Sequence, residues 1–361
     1  MRDLKVPRRT FLAGLASCGL VAVAGHAETL ALKTAAHKRG LFWGAAVQHA
    51  QLKDDAEFAA LVAQQCSALT PEWEMKWAAI ESHRGKPNFA RADAMVRFAR
   101  EHQLGVRGHA LIWHRSIPDW AREAMTWDDV TKHIEAMLRR YRAAPFICWD
   151  VLNEVIEPKD HRPDGLRISP FLQAFGPDYI GRALALARTT APDMKLYINE
   201  YGLDYDGPVE RARRVTLLRL LDTLRKSNVP FDGVGIQGHL RLDNSPFSAA
   251  ALRTFLADLA SRNVKITITE LDVRERDLSL PLEARDRLVA AEVKRYLDVV
   301  LDEPAVEGVV AWGLSDRYSW LSPKKLTDAG QRNRGLPFDQ ALAAKPVKDE
   351  IVAALERRPP H

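Results

Sequence analysis

The chain has 361 residues, of which 47% are hydrophobic and 27% are charged. This composition is typical of an ordinary globular protein and excludes a disordered or fibrous chain. The formal net charge is +5, but residues 1–27 carry a local charge of +3 from four basic residues and Asp3, which leaves only +2 for the rest. A charge this small does not favour a nucleic-acid partner.

The N-terminus has the pattern of an export signal. Arg8 and Arg9 precede an apolar run over residues 11–24, and small residues follow it. We interpret residues 1–27 as a cleaved twin-arginine signal that sends the mature chain to the periplasm or out of the cell. The alternative is a lipoprotein signal, with the chain anchored through Cys18. No other stretch is long and apolar enough to cross a bilayer, so no stable membrane insertion is expected.

Short apolar runs alternate with amphipathic helical patterns from residue 41 to the end. Eight runs are candidate strands: Leu41–Ala46, Ser67–Thr70, Gly105–His109, Phe146–Asn153, Lys195–Asn199, Gly233–Gln237, Lys265–Thr269 and Gly308–Trp312. Helical patterns lie between them over Asp54–Gln65, Arg91–His102, Asp128–Ala143, Pro177–Thr190, Val209–Ser227 and Leu282–Leu301. Several strands are continuously apolar, as is typical of parallel strands covered by helices. The alternation predicts one (β/α)8 barrel over residues 28–361.

A barrel enzyme carries its chemistry where the strands end. Polar or aromatic residues end or follow seven of the eight runs: Glu72, His109, Asn153 with Glu154, Asn199 to Tyr201, Gln237 with His239, Glu270 and Trp312. Two glutamates, several amide and imidazole groups and nearby tryptophans suit glycoside hydrolysis, in which one carboxylic acid protonates the leaving oxygen and one carboxylate lies beside the anomeric carbon.

From Leu41 to Val347 the chain resembles the xylanases of glycoside hydrolase family 10. The matching segments are TPEWEMKW at 70–77, RGHALIWH at 107–114, WDVLNE at 149–154, Gln237 with His239, ITELDV at 268–273 and WGLSDRYSW at 312–320. The resemblance implies a retaining endo-1,4-β-xylanase in which Glu154 is the acid/base and Glu270 the nucleophile. Their carboxyl groups are then expected about 5–5.5 Å apart.

The resemblance also implies roles for other residues. Catalytic support is expected from Asn153, His239, Asp272 and Gln237. Substrate binding is expected from Glu72, Lys76, His109, Trp113, Tyr201, Trp312 and Trp320. A cis peptide bond is expected between His109 and Ala110. The expected partner is xylan or a xylo-oligosaccharide, with no cofactor, no metal and a monomeric protein.

Three residues depart from the family pattern. Trp73 stands where an asparagine usually contacts the next sugar towards the non-reducing end, Ser116 replaces a glutamine and Glu200 an aspartate. Ser116 leaves open another retaining β-glycanase with a relaxed choice between glucose and xylose. A carbohydrate-binding barrel without catalysis is a further alternative, although such proteins normally lack one of the two carboxylates.

Several other residues are expected to be structural. Cys66 and Cys148 are predicted to be buried thiols rather than a disulfide. Trp43, Trp127 and Trp149 are predicted to be core or helix-packing residues. The arginine-rich runs at 211–214 and 285–287 are expected on solvated helix faces.

Overall fold

The computed structural model describes residues 30–243, 245–322 and 332–358, so the predicted signal and Cys18 lie outside the described residues. Eight parallel strands form the barrel, and they run over Phe42–Val47, Ala68–Pro71, Gly105–Gly108, Phe146–Asn153, Leu196–Glu200, Gly233–Ile236, Lys265–Arg274 and Val306–Ala311. Each strand pairs in parallel with the next, and the eighth pairs with the first, where Phe42 lies opposite Gly308. The predicted single-domain (β/α)8 barrel is therefore confirmed.

Two short strands extend the barrel at the carboxyl ends of its strands. Ile112–Trp113 pairs with the fourth strand, and His239–Arg241 pairs with the seventh. In the second pairing His239 lies opposite Asp272. The seventh strand continues to Arg274, five residues beyond its predicted end, because this extra pairing partner is available.

Helices cover the outside of the barrel. The longer ones run over Ala56–Gln65, Ala90–Glu101, Trp127–Arg140, Tyr179–Thr190, Pro208–Lys226, Ala249–Ser261, Leu282–Val300 and Pro346–Arg357. Shorter helices run over Leu32–His37, His49–Asp54, Trp77–Ile80, Asp119–Arg122 and Pro170–Phe175, and single 3-10 turns over Pro158–Asp160 and Asp316–Tyr318. The six predicted helices all form, with ends that differ by three residues or fewer.

The helix Trp127–Arg140 illustrates how the sequence specifies these elements. Thr126 and Asp129 form a reciprocal capping box at its start, which satisfies backbone N–H groups that have no partner within the helix. Its buried side chains recur every three or four residues, at Val130, Ile134 and Met137. That spacing places one apolar stripe against the barrel.

The arginine runs differ from the prediction. Arg213, Arg214 and Arg285 are buried, and only the remaining members of the two runs face solvent. Each buried guanidinium donates to fixed acceptors: Arg214 binds the carbonyl oxygen of Leu203, for example, at 2.7 Å. The prediction of solvated faces was wrong because these acceptors lie outside the two helices, in segments that the fold brings against them.

The other structural predictions are confirmed. Cys66 and Cys148 are free and buried. Trp43 and Trp149 are fully buried in the core, and Trp127 is partly buried and packs against it. No helix among the described residues is long and apolar enough to span a membrane.

Candidate active site

A cleft at the carboxyl ends of the strands contains most of the predicted site residues. Ten of the thirteen line it: Glu72, Lys76, Trp113, Glu154, Tyr201, Gln237, His239, Glu270, Trp312 and Trp320. The other three, His109, Asn153 and Asp272, are buried directly beneath it and hydrogen-bond to groups of the site.

Glu270 is held at both carboxylate oxygens. Asn199 Nδ2 donates to Oε1 at 2.7 Å, and His239 Nε2 donates to Oε2 at 3.1 Å. Burial by itself would raise the pKa of Glu270, but the hydrogen bond and charge of His239, assisted by His109 and Arg107, lower it to about 2. Glu270 is therefore an ionised and oriented carboxylate, as a nucleophile requires.

His239 lies between two carboxylates. Its Nδ1 donates to Asp272 Oδ1 at 2.8 Å, while Trp320 Nε1 donates to Asp272 Oδ2 at 2.7 Å. Burial opposes a charge on His239, but Asp272 and Glu270 raise its pKa well above the ordinary value. A protonated His239 can donate from both ring nitrogens, and Asp272 fixes the orientation of the ring.

Glu154 has a different environment. It follows the fourth strand in a left-handed conformation with φ 58°. Two hydrogen bonds hold its main chain: its N–H donates to the carbonyl oxygen of Asn199 at 2.9 Å, and Arg167 Nε donates to its carbonyl oxygen at 2.7 Å. Gln237 Nε2 donates to Glu154 Oε1 at 3.2 Å. The neutral amide of Gln237 thus contacts the expected acid/base rather than the expected nucleophile.

Asn199 is a site residue to which the sequence analysis assigned no role. Its Nδ2 donates to Asn153 Oδ1 at 2.8 Å as well as to Glu270, and its Oδ1 accepts from Thr269 at 2.7 Å. A Cβ at Gly235 would lie 2.1 Å from Asn199 Oδ1, so only glycine leaves room for this side chain. The position of Asn199 at the carboxyl end of the fifth strand was the one feature of the sequence that indicated a place in the site.

The floor of the cleft is an ionic network. Asp150 accepts from Arg107 and, at 2.7 Å, from His109 Nδ1, and all three side chains are almost completely buried. Asp150 is therefore a buried, hydrogen-bonded residue of the fourth strand. The peptide bond between His109 and Ala110 is cis, as expected.

Lys76 and aromatic rings form one wall. The ammonium group lies 4.3 Å from the ring centroid of Trp113 and 5.7 Å from those of Trp73 and Trp312. Burial lowers the pKa of Lys76, and nearby Glu270 and other carboxylates oppose that change. Trp73, one of the three departures from the family pattern, is 41% exposed, so its indole is open to the cleft.

The other two departures lie beneath the surface. Ser116 is buried and is not among the residues that line the cleft. Glu200 is fully buried and accepts from the backbone N–H of Ile156 at 3.0 Å. Burial raises the pKa of Glu200 to about 8, with Arg213 opposing and Glu154 assisting the change.

Known proteins with this arrangement are glycosidases. The family model described as glycosyl hydrolase family 10 matches residues 31–354. Endo-1,4-beta-xylanase A of Phanerodontia chrysosporium is 32% identical over 90% of this chain and 77% of its own length. Endo-1,4-beta-xylanase 1 of Humicola insolens is 31% identical over 88% of this chain and 72% of its own length.

A solved structure has a similar fold. Xylanase 10B of Thermotoga petrophila, in complex with xylobiose, has a TM-score of 0.82 and 28% identity, with coverage of 92% of this chain and 99% of that chain. The cleft geometry, the barrel and the family match agree, and the chain belongs to glycoside hydrolase family 10 as an endo-1,4-β-xylanase-type enzyme.

Proposed function

We propose that this protein hydrolyses the β-1,4-xylosidic bonds of xylan or xylo-oligosaccharides with retention of anomeric configuration. The observation that carries the proposal is the contrast between two glutamates in one cleft. Glu270 is buried, with both oxygens hydrogen-bonded and a pKa of about 2, whereas Glu154 has one neutral side-chain partner. Different environments for two carboxyl groups favour different roles. The Thermotoga petrophila relative bound to xylobiose supports the substrate class.

In the first step a Glu270 oxygen attacks the anomeric carbon as the bond to the leaving oxygen breaks. Glu154 gives its proton to that oxygen, and a covalent glycosyl ester forms on Glu270. In the second step Glu154, now ionised, takes a proton from water, and the water oxygen displaces Glu270. Two inversions at one carbon leave its configuration unchanged.

The neighbours of Glu270 support the charge changes. His239 stabilises the carboxylate before attack, and Asp272 keeps the imidazolium in place throughout. Asn153, which is bonded to the same Asn199 amide as Glu270, and the buried His109 lie near Glu270. Such fixed groups act without reorganising during the reaction.

The first experiment measures reducing sugar released from xylan and from mixed-linkage β-glucan. We expect the parent to prefer xylan and Glu270→Ala to lose roughly 10³-fold or more of that activity, because the nucleophile is absent. Glu283→Ala, in the first turn of the helix Leu282–Val300, is the matched control and should behave as the parent. Equal rates of parent and Glu270→Ala would overturn the mechanism, and a preference for β-glucan would overturn the substrate.

The roles of the two glutamates are separated by adding azide to the alanine variants with an aryl xylobioside. In Glu154→Ala the glycosyl ester still forms, and azide should release it as the β-azide. In Glu270→Ala azide should attack directly from the vacant face and give the α-azide. The opposite pairing of variants and anomers would exchange the two assignments.

A further inference from the structure

Arg115 and Arg167 line the cleft together with Glu154, and Arg213 lies next to Arg167. Arg167 and Arg213 share one carboxylate, Glu157, at 3.3 and 3.1 Å. Arg213 also lies 3.9 Å from Glu200, but burial raises the pKa of Glu200 to about 8, so Glu200 adds little negative charge at neutral pH. Burial would raise the pKa of Glu157, but Tyr201 and the arginines lower it, so it contributes one negative charge. The third arginine, Arg115, forms no salt bridge with any described residue.

Arg167 is a rigid donor. Its Nε is bound to the carbonyl oxygen of Glu154 at 2.7 Å and its Nη2 to the hydroxyl of Tyr201 at 2.9 Å. Its Nη1 makes no hydrogen bond within the described part of the chain, although the side chain lines the cleft and is 13% exposed. One arm of a fixed guanidinium group is thus available to a ligand.

Arg115 and His114 lie in the same part of the cleft wall. Arg115 is exposed, and His114 Nδ1 is buried without a hydrogen-bond partner among the described residues. Burial, and then the charges of Arg167 and Arg115, lower the pKa of His114 to about 3. His114 is therefore neutral near pH 7, and it adds no charge to this part of the cleft.

Other cations of the cleft are neutralised. Arg241 donates to Glu210 at 2.7 Å and lies 3.3 Å from Asp243. Lys76 interacts with Glu270 and Glu72. The excess of positive charge is therefore local to the side of Glu154.

That side receives the leaving group. Glu154 must reach the leaving oxygen, whereas the sugar that forms the ester lies over Glu270. The charged groups that act most strongly on Glu270 are His239, His109 and Arg107, not Arg115 or Arg167. Arg167 is bonded to the backbone of Glu154 itself. A group bound by Arg115 and Arg167 would consequently belong to the half of the substrate that departs first.

We propose that Arg115 and Arg167 form a carboxylate subsite for a uronic acid carried as a side branch on the leaving-group half of the xylan chain. This inference rests on the proposed function and adds a preference for acidic substrate to it. A carboxylate matches the planar donors of arginine, and charge-assisted hydrogen bonds are the stronger ones.

The test compares three oligosaccharides of equal backbone length: one with a glucuronic acid branch, one in which that acid is reduced to a glucose branch, and one unbranched. The parent should have a kcat/KM for the acidic substrate about tenfold above that for the reduced one. The preference should decline as salt rises from about 0.02 to about 0.5 M, since screening weakens it.

Arg115→Gln should abolish most of this preference, and Arg115→Glu should reverse it. Arg97→Gln is the matched control, because Arg97 is exposed on the helix Ala90–Glu101, outside the cleft, and its loss changes the net charge equally. The ratio of the two kcat/KM values is the readout, so a general loss of activity does not mimic the effect.

A parent that hydrolyses unbranched xylo-oligosaccharide but treats acidic and reduced branches alike would overturn the subsite alone. The same conclusion follows if Arg115→Glu and Arg97→Gln give equal ratios. No hydrolysis of any xylo-oligosaccharide by the parent would instead overturn the proposed function.

Discussion

At the scale of single residues, the site depends on how one carboxylate is kept ionised inside the protein. Burial favours the neutral form of Glu270, and His239 reverses that preference by donating a hydrogen bond and carrying a charge. Asp272 in turn makes the charge on His239 favourable. Three residues from two adjacent strands therefore act as one unit.

Replacing His239 by asparagine should move the acid limb of the kcat/KM profile to higher pH. In the proposed mechanism Glu270 must be ionised to attack, and its ionised fraction falls as pH drops through its pKa, which is about 2 in the parent. Without the imidazolium, burial dominates and the pKa of Glu270 rises. We expect an upward shift of about one unit or more in a pH profile on xylotetraose.

His102→Asn, at an exposed position outside the cleft, is the control for this prediction. Its acid limb should coincide with that of the parent. An unchanged acid limb in His239→Asn would mean that another group keeps Glu270 ionised.

The candidate site was largely predictable because its residues follow strands, and a strand end can be read locally. Asn199 received no role, since its function depends on reaching Asn153, Thr269 and Glu270 at once across the barrel. The resemblance supplied the identities of the two glutamates; the hydrogen-bond partners that distinguish their environments became visible only in the fold.

At the scale of elements, Asp55 links a helix to a distant loop. Its Oδ1 accepts from the N–H of Phe58 at 3.0 Å and caps the helix Ala56–Gln65, while its Oδ2 binds Arg317 at 2.6 Å and Tyr318 at 2.7 Å. Aspartate is a preferred N-cap residue, but the predicted helix began at Asp54 and so placed Asp55 inside it. The partners some 260 residues away have no local signal in the sequence.

Asp55→Ala should destabilise the protein by about 1–2 kcal/mol through loss of the cap, measured by urea unfolding at neutral pH. Asp55→Asn should lose less stability than Asp55→Ala, since asparagine caps a helix equally well and only the ionic contact is removed. A loss in Asp55→Asn as large as that in Asp55→Ala would assign the stability to the ion pair instead.

The pH dependence of this contribution follows from the same contacts. The pKa of Asp55 is lowered from 3.8 to about 2. The largest cause is the hydrogen bond from the Phe58 N–H, which outweighs the effect of burial, and Tyr318 and Arg317 lower the pKa further. A carboxylate whose pKa is lower in the folded state than in the unfolded state stabilises the fold at pH values above its unfolded-state pKa. This stabilisation is lost as the pH falls through the folded-state pKa. The difference between parent and Asp55→Asn should therefore shrink below about pH 4.

At the scale of the whole molecule, Arg285 joins three parts of the chain. From the helix Leu282–Val300 it donates through Nε and Nη2 to Glu275, beyond the seventh strand, at 2.7 and 2.8 Å, and through Nη2 to the carbonyl oxygen of Arg332. Both side chains are 1% exposed. This pair connects the barrel wall to the segment that follows residue 331.

Arg285→Ala should destabilise the protein by about 3–5 kcal/mol, because it leaves the Glu275 carboxylate buried without its main counter-charge. Urea unfolding provides the measurement, and Arg287→Ala, at an exposed position two residues away, should change stability by less than about 0.5 kcal/mol. Adding Glu275→Gln to Arg285→Ala should recover part of the loss. Equal effects of the Arg285 and Arg287 variants would support the original prediction of a solvated face.

The sequence by itself determined the alternation of strands and helices, the barrel, and the placement of Glu154 and Glu270 towards the carboxyl ends of two strands. These follow from apolar periodicity and from residues adjacent in the chain, which act over a few ångströms. Only the tertiary structure decided which arginines are buried, that Gln237 contacts Glu154, and that Arg115 and Arg167 line the same cleft as Glu154. Those outcomes depend on distances between loops from different strands, and no local pattern encodes such distances.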